Sequence, residues 1–117
     1  MGWYSLSSAT NWWNIDSENF HNIEFLIIPG VDFESSLKAK EISSEIDLES
    51  YWSAGLHPHD AKLLNSQRES LANLFQEADL IGETGLDFYR NLSTKDEQIV
   101  NFLFHLEYSK QLNKPII

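Results

Sequence analysis

Glu83 and Asp87 lie in the stretch Gly82-Glu83-Thr84-Gly85-Leu86-Asp87, directly behind the short apolar run Leu80-Ile81. Carboxylates placed this way could hold a hard divalent cation, since such ions prefer oxygen ligands and each carboxylate offers two. Upstream, His57-Pro58-His59-Asp60 follows the run Tyr51–Leu56. Two imidazoles could join such a centre or carry protons. A third polar turn, Pro29-Gly30-Val31-Asp32, closes the run Ile23–Ile28. Each cluster also has a plainer reading. Glu83 could cap the segment after it or pair with a surface lysine. Asp87, ahead of Phe88 and Tyr89, could hold a loop by accepting backbone hydrogen bonds. His57 and His59 could be solvated turn residues, and Arg90 a solvated charge rather than a phosphate contact. The choice depends on whether the chain brings the three clusters to one place.

The elements that must do so are legible. Ile23–Ile28, β-branched and apolar, reads as a buried strand stopped by Pro29-Gly30. Phe33–Ile46 reads as a helix with Asp32 as its N-cap. Tyr51–Leu56 reads as a second strand. Ser66-Gln67-Arg68-Glu69 has the form of a capping box, followed by the helical stripe Leu71, Leu74, Phe75 and Ala78. Asp79–Glu83 reads as a third strand. Thr94-Lys95-Asp96-Glu97 is a second capping box, opening a helix to about Asn113 with the stripe Ile99, Phe102, Leu103 and Leu106. Lys114-Pro115-Ile116-Ile117 begins a fourth strand. Residues 1–22, with Trp12 and Trp13, show no period and read as an irregular or divergent segment. Residues 23–117 read as one α/β domain. His21 and His105 read as structural, His105 on a helix surface. Trp12, Trp13 and Trp52 read as packing residues.

The order βαβαβαβ implies parallel strands joined by helical crossovers. In such folds ligands bind at the carboxyl ends of the strands. All three polar clusters fall there, which raises Glu83 from a stray loop acid to a site candidate.

Composition narrows the function. The 117 residues carry 18 acids and 8 bases, a net charge of −10, which argues against a broad basic surface for nucleic acid on this chain alone. A metal-bridged contact to phosphate is compatible with that charge, because a bound cation reverses the local sign. Apolar residues make up 42% and aromatics 13%, enough for a packed core. There is no cysteine, which removes disulfides and thiolate metal sites. The first Lys or Arg is Lys38, and no apolar run approaches a membrane span. The composition points to a soluble, cytoplasmic protein, and Asn91-Leu92-Ser93 to a chance glycosylation match.

The blocks "IIPGVDFESSLKAKEI", "AGLHPHDAKLL" and "IGETGLDFYRNLSTKDEQIVNFLFHLEYSKQLNKPII" resemble successive blocks of the TatD family of metal-dependent hydrolases. The resemblance covers about residues 26–117 and includes Gln98 and Phe102. It implies a (β/α) TIM-type barrel, of which this chain supplies roughly the first half, since such barrels take about 250 residues. It implies cleavage of phosphodiesters in DNA or a related substrate. It implies a centre of divalent ions (Mg, Zn or Mn), two in the complete family site, with Glu83 as a metal ligand that can bridge them. It places His57 near that centre, with Asp87 and Arg90 as further site-proximal candidates. The family opens with a His-x-His motif that has no counterpart before Ile23, and its remaining ligands lie on strands after the block ending in Ile117. The expectation is therefore an incomplete barrel, inactive alone, that self-associates through its unfinished sheet. The alternative is a non-catalytic α/β remnant or a binding and assembly module. An open flavodoxin-like sheet ranks below both, because no Gly-rich phosphate loop is present.

Overall fold

A computed structural model of the chain describes residues 22–117. Trp12, Trp13, His21 and nearly all of the segment read as irregular lie outside the described residues.

Strand β1 (Leu26–Ile28) pairs in parallel with β2 (Ser50–Ala54), Leu26 opposite Ser50 and Ile28 opposite Trp52. Strand β3 (Leu80–Ile81) pairs in parallel with the other edge of β2, Ala54 opposite Ile81. The expected fourth strand is present as a single parallel bridge between Ile81 and Ile116. It is held by Ile81 N–H to Pro115 O at 2.9 Å and Ile117 N–H to Ile81 O at 3.0 Å. The strand order β1-β2-β3 follows the sequence, as expected of repeated βα units.

Helix α1 (Phe33–Glu45) begins directly after Asp32, whose own backbone is extended. The Asp32 carboxylate accepts from Ser35 N–H at 2.8 Å, and Ser35 Oγ accepts from Asp32 N–H at 3.0 Å. This reciprocal cap satisfies N–H groups that the first helical turn leaves orphaned, worth about 1 kcal/mol. Helix α2 (Leu64–Phe75) starts differently from expectation. Pro58 and the His57 cap turn the chain into a 3-10 helix, Pro58–Leu63, which runs straight into α2. Ser66 therefore lies inside the first turn of α2 and donates to Leu63 O at 2.8 Å rather than capping. The stripe beyond it packs as expected, with Leu71, Leu74, Phe75 and Ala78 buried. Lys114 Nζ donates to the Phe75 and Gln76 carbonyls at the end of this helix.

Helix α3 (Lys95–Leu112) has the expected capping box, Thr94 Oγ1 accepting from Glu97 N–H and the Glu97 carboxylate from Thr94 N–H. It ends at Asn113 in the left-handed region. Its buried face is not the one its apolar periodicity marks. Leu103 is 56% exposed, Ile99 and Leu106 are exposed too, and Phe102 is half-buried. The buried face is Gln98, Asn101, Phe104 and His105. Polar side chains take that face because it meets loop backbone that needs hydrogen-bond partners. A helix apolar on its outer face as well has the pattern of one buried on two sides.

The core lies between the sheet and the helices. Trp52, Ala54, Leu56, Leu71, Phe75 and Ile81 are buried in one cluster with Phe104. Phe75 is its hub, with ring centroids 5.5 Å from Phe104 and 5.3 Å from Tyr108. A second, smaller cluster joins Ile42 and Ile46 to Leu26 and Ile28. Elsewhere on the sheet, Phe25, Ile27, Tyr51, Leu80 and Pro115 line an open hollow of about 380 Å³. No helix among the described residues is long and apolar enough to cross a membrane.

Candidate metal centre

The three polar clusters meet at the carboxyl ends of the strands, and backbone hydrogen bonds stitch them together. Glu83 N–H donates to Gly30 O at 2.7 Å, and His57 N–H donates to Val31 O at 2.8 Å. Gly30 N–H reaches Ser53 O and, at 3.0 Å, the buried Ser53 Oγ. Gly82 N–H donates to Ala54 O at 2.8 Å, and Thr84 N–H to Ile117 O at 3.2 Å. Two glycines permit the approach. Gly82 has φ 143°, and a Cβ there would overlap the Ile117 carbonyl oxygen. A Cβ on Gly55 would fall 2.6 Å from Gly82 Cα. Gly82 therefore serves close strand-to-strand contact.

This frame brings Glu83 and His57 together. His57 Nε2 lies 3.9 Å from Glu83 Oε1, with side chains 26% and 38% exposed. His57 Nδ1 accepts from His59 N–H at 3.1 Å. A neutral His57 ring with Nδ1 so engaged carries its proton on Nε2, the nitrogen facing Glu83. Burial holds the His57 pKa below its usual value, the neighbouring His59 adds to this, and the Glu83 charge partly opposes it. His57 is thus a neutral Nε2–H donor beside a carboxylate.

The second pair is His59 and Asp87, 2.6 Å apart from Nε2 to Oδ2. The other Asp87 oxygen accepts from the Tyr89 and Arg90 N–H groups at 3.2 and 3.1 Å. The His59 hydrogen bond, followed by that from the Arg90 backbone, lowers the Asp87 pKa to about 2. Asp87 holds its loop in shape and faces His59. The Arg90 guanidinium is 3.5 Å from Asp87 and largely in solvent.

Three residues of this region were not among the sequence-derived site candidates. Gln98, Asn101 and His105 are fully buried and bond the backbone of both site loops. His105, read from the sequence as lying on a helix surface, is instead sealed in the core. Its Nε2 accepts from Leu56 N–H at 2.9 Å, and its Nδ1 faces Asn101 O at 2.7 Å. Burial lowers its pKa to about 4. The one available clue was polar residues at i, i+3 and i+7, which the stronger apolar stripe obscured.

As a metal site the donors are incomplete. Glu83 offers a carboxylate that suits a hard cation. His57 Nε2 bears a proton, and His59 Nε2 is engaged by Asp87. No group of three or more His, Cys, Asp or Glu able to hold an ion exists among the described residues. The described residues supply one fitting ligand and by themselves do not complete a centre.

Parallel strands joined by helical crossovers, with a carboxylate–imidazole pair at their carboxyl ends, define part of a (β/α) barrel. The crystal structure of an uncharacterized amidohydrolase from Saccharomyces cerevisiae superposes with a TM-score of 0.64 at 17% identity, covering 97% of this chain and 41% of that one. The family model for TatD related DNase matches residues 14–117, and the chain belongs to that family. Similar relatives are the 3'-5' ssDNA/RNA exonucleases TatD of Shigella flexneri and Escherichia coli, each 36% identical over 95 residues. That of Cronobacter sakazakii is 39% identical over 95 residues. These matches cover 78% of this chain but 35–36% of each relative, so the chain spans little more than a third of their length.

Proposed function

We propose that the chain contributes to a metal-dependent hydrolase of nucleic-acid phosphodiesters, with Glu83 as a ligand to a divalent ion, and that residues 23–117 are one incomplete barrel domain. The supporting observation is the Glu83–His57 pair, 3.9 Å apart at the carboxyl ends of adjacent parallel strands. The relatives' names supply the substrate class, single-stranded DNA or RNA. A bound divalent ion would polarise the phosphate and lower the pKa of attacking water. Glu83 would help fix that ion. His57 would present its Nε2 proton to an oxygen seated beside Glu83, and the Gly30–Val31 turn would hold both loops in register. The ion also supplies the positive charge that a chain of net charge −10 otherwise lacks for binding phosphate. The remaining ligands must come from outside the described residues.

A second reading, a non-catalytic assembly module, draws on the exposed outer face of α3 at Ile99, Leu103 and Leu106. That face would take a further element or a second copy.

Titration of Mn²⁺ into the isotopically labelled chain tests the ligand role. Paramagnetic broadening should begin at Glu83 and His57 and disappear in Glu83→Ala. Broadening centred elsewhere, or unchanged in Glu83→Ala, contradicts it.

A further inference from the structure

We infer that helix α3 is the positioning element of this site, its Gln98, Asn101 and His105 clamping the backbone of the loops that carry His57 and Asp87.

The three residues fall on one helical face, at i, i+3 and i+7, and each is fully buried. Buried polar side chains are costly unless hydrogen-bonded, and apolar residues would pack a helix here without that cost. What the polar choice provides is a set of bonds to loop backbone. Leu56 lies just past the end of β2, where its backbone groups have left the strand ladder. Its N–H donates to His105 Nε2 at 2.9 Å, and its carbonyl accepts from Asn101 Nδ2 at 2.8 Å. Asn101 holds this place although its own Oδ1 is buried with no partner among the described residues. His105 is oriented in turn by Nδ1–H donating to Asn101 O. Both backbone groups of the residue preceding His57 are therefore fixed by α3.

Gln98 does the same for the second loop. Its Oε1 accepts from Asp87 N–H at 2.7 Å, and its Nε2 donates to Asp87 O at 3.1 Å and Ser93 O at 3.0 Å. Ser93 Oγ donates in turn to His59 O at 2.9 Å, joining the two loops. The side chains of α3 thus bond loop backbone groups that lie beyond the strand ladder. Through them the helix sets the rotation of the Leu56–His57 peptide and the height of Asp87 under His59. His105 can do this only while Nε2 is an unprotonated acceptor.

The inference rests on the proposed function only in treating His57 as a site residue, and its test involves neither metal nor cleavage. In the 117-residue chain, proton–nitrogen correlation of the imidazoles reports the tautomers of His57 and His59, and amide exchange reports Leu56 and Asp87. In the unmodified chain these two amides should exchange as slowly as the amides inside α3, opening only when the helix does. His105→Gln keeps an acceptor for Leu56 N–H and should preserve the ring signals and the slow exchange. His105→Leu removes the acceptor. It should accelerate Leu56 exchange at least about tenfold and alter the His57 ring signals, while the amides of α3 remain protected. Fast exchange at Leu56 and Asp87 in the unmodified chain overturns the inference, even if His105→Leu fails to fold. So does a folded His105→Leu with unmoved His57 signals, or His105→Gln behaving like His105→Leu.

Discussion

His57 Nε2 and Glu83 Oε1 face each other across 3.9 Å, although they belong to segments that follow different strands. The pairing is a consequence of parallel topology. Strands β2 and β3 run the same way, so the residues just past their ends emerge side by side. The N–H groups of His57 and Glu83 then reach the same turn, at Val31 O and Gly30 O. The site is as rigid as this stitching.

Gly82→Ala tests the stitching. The added Cβ would strike the Ile117 carbonyl from a backbone φ of 143° that alanine avoids. A loss of about 1–3 kcal/mol in thermal or urea unfolding is expected. An unchanged midpoint would mean that the ends of the strands are not packed this closely.

Stability should fall with acid through His105. The ring has a pKa of about 4 in the fold against an ordinary 6.5. Above pH 6.5 it is neutral in both folded and unfolded chains, and its contribution is fully present. As pH falls from 6.5 to 4 the unfolded chain takes up a proton that the folded chain refuses, and about 3 kcal/mol is lost. Urea unfolding across this range should show the slope, and His105→Gln should flatten it. Equal slopes would place the titration elsewhere.

Phe75→Ala should cost about 3–5 kcal/mol, because Phe75 is fully buried against Phe104 and Tyr108. Leu103→Ala, on the exposed face of α3, should stay within about 0.5 kcal/mol. If that outer face docks a second copy, Leu103→Lys should reduce any self-association seen in sedimentation. Comparable losses for Phe75→Ala and Leu103→Ala would mean that α3 is rotated, with Leu103 turned into the core.

The strands, their order and direction, two of the three caps and the α2 stripe were all readable from the sequence. Each rests on local chemistry: β-branched runs ended by Pro-Gly or His-Pro, hydroxyl or acid caps, and apolar spacing. The convergence of Glu83 with His57 was readable too, because parallel order alone places it. What escaped was the buried face of α3. Periodicity favours apolar residues, and Ile99, Leu103 and Leu106 outweighed Gln98, Asn101 and His105, whose burial is decided by loop backbone distant in sequence. Ser66 misled for a similar reason: its spacing to Glu69 fits a cap, but Pro58 had already started the helical path upstream.

The most direct measurement is chelator-sensitive cleavage of a single-stranded DNA oligonucleotide by the chain extended through the remaining strands of a TatD relative. Three forms are compared: unmodified, Glu83→Ala and Glu69→Ala. Glu69 lies exposed on α2 and serves as the control. Cleavage should require added divalent ion, fall by about a hundredfold or more in Glu83→Ala, and stay unchanged in Glu69→Ala. Metal-dependent cleavage that survives Glu83→Ala would contradict the assignment of Glu83 as a metal ligand.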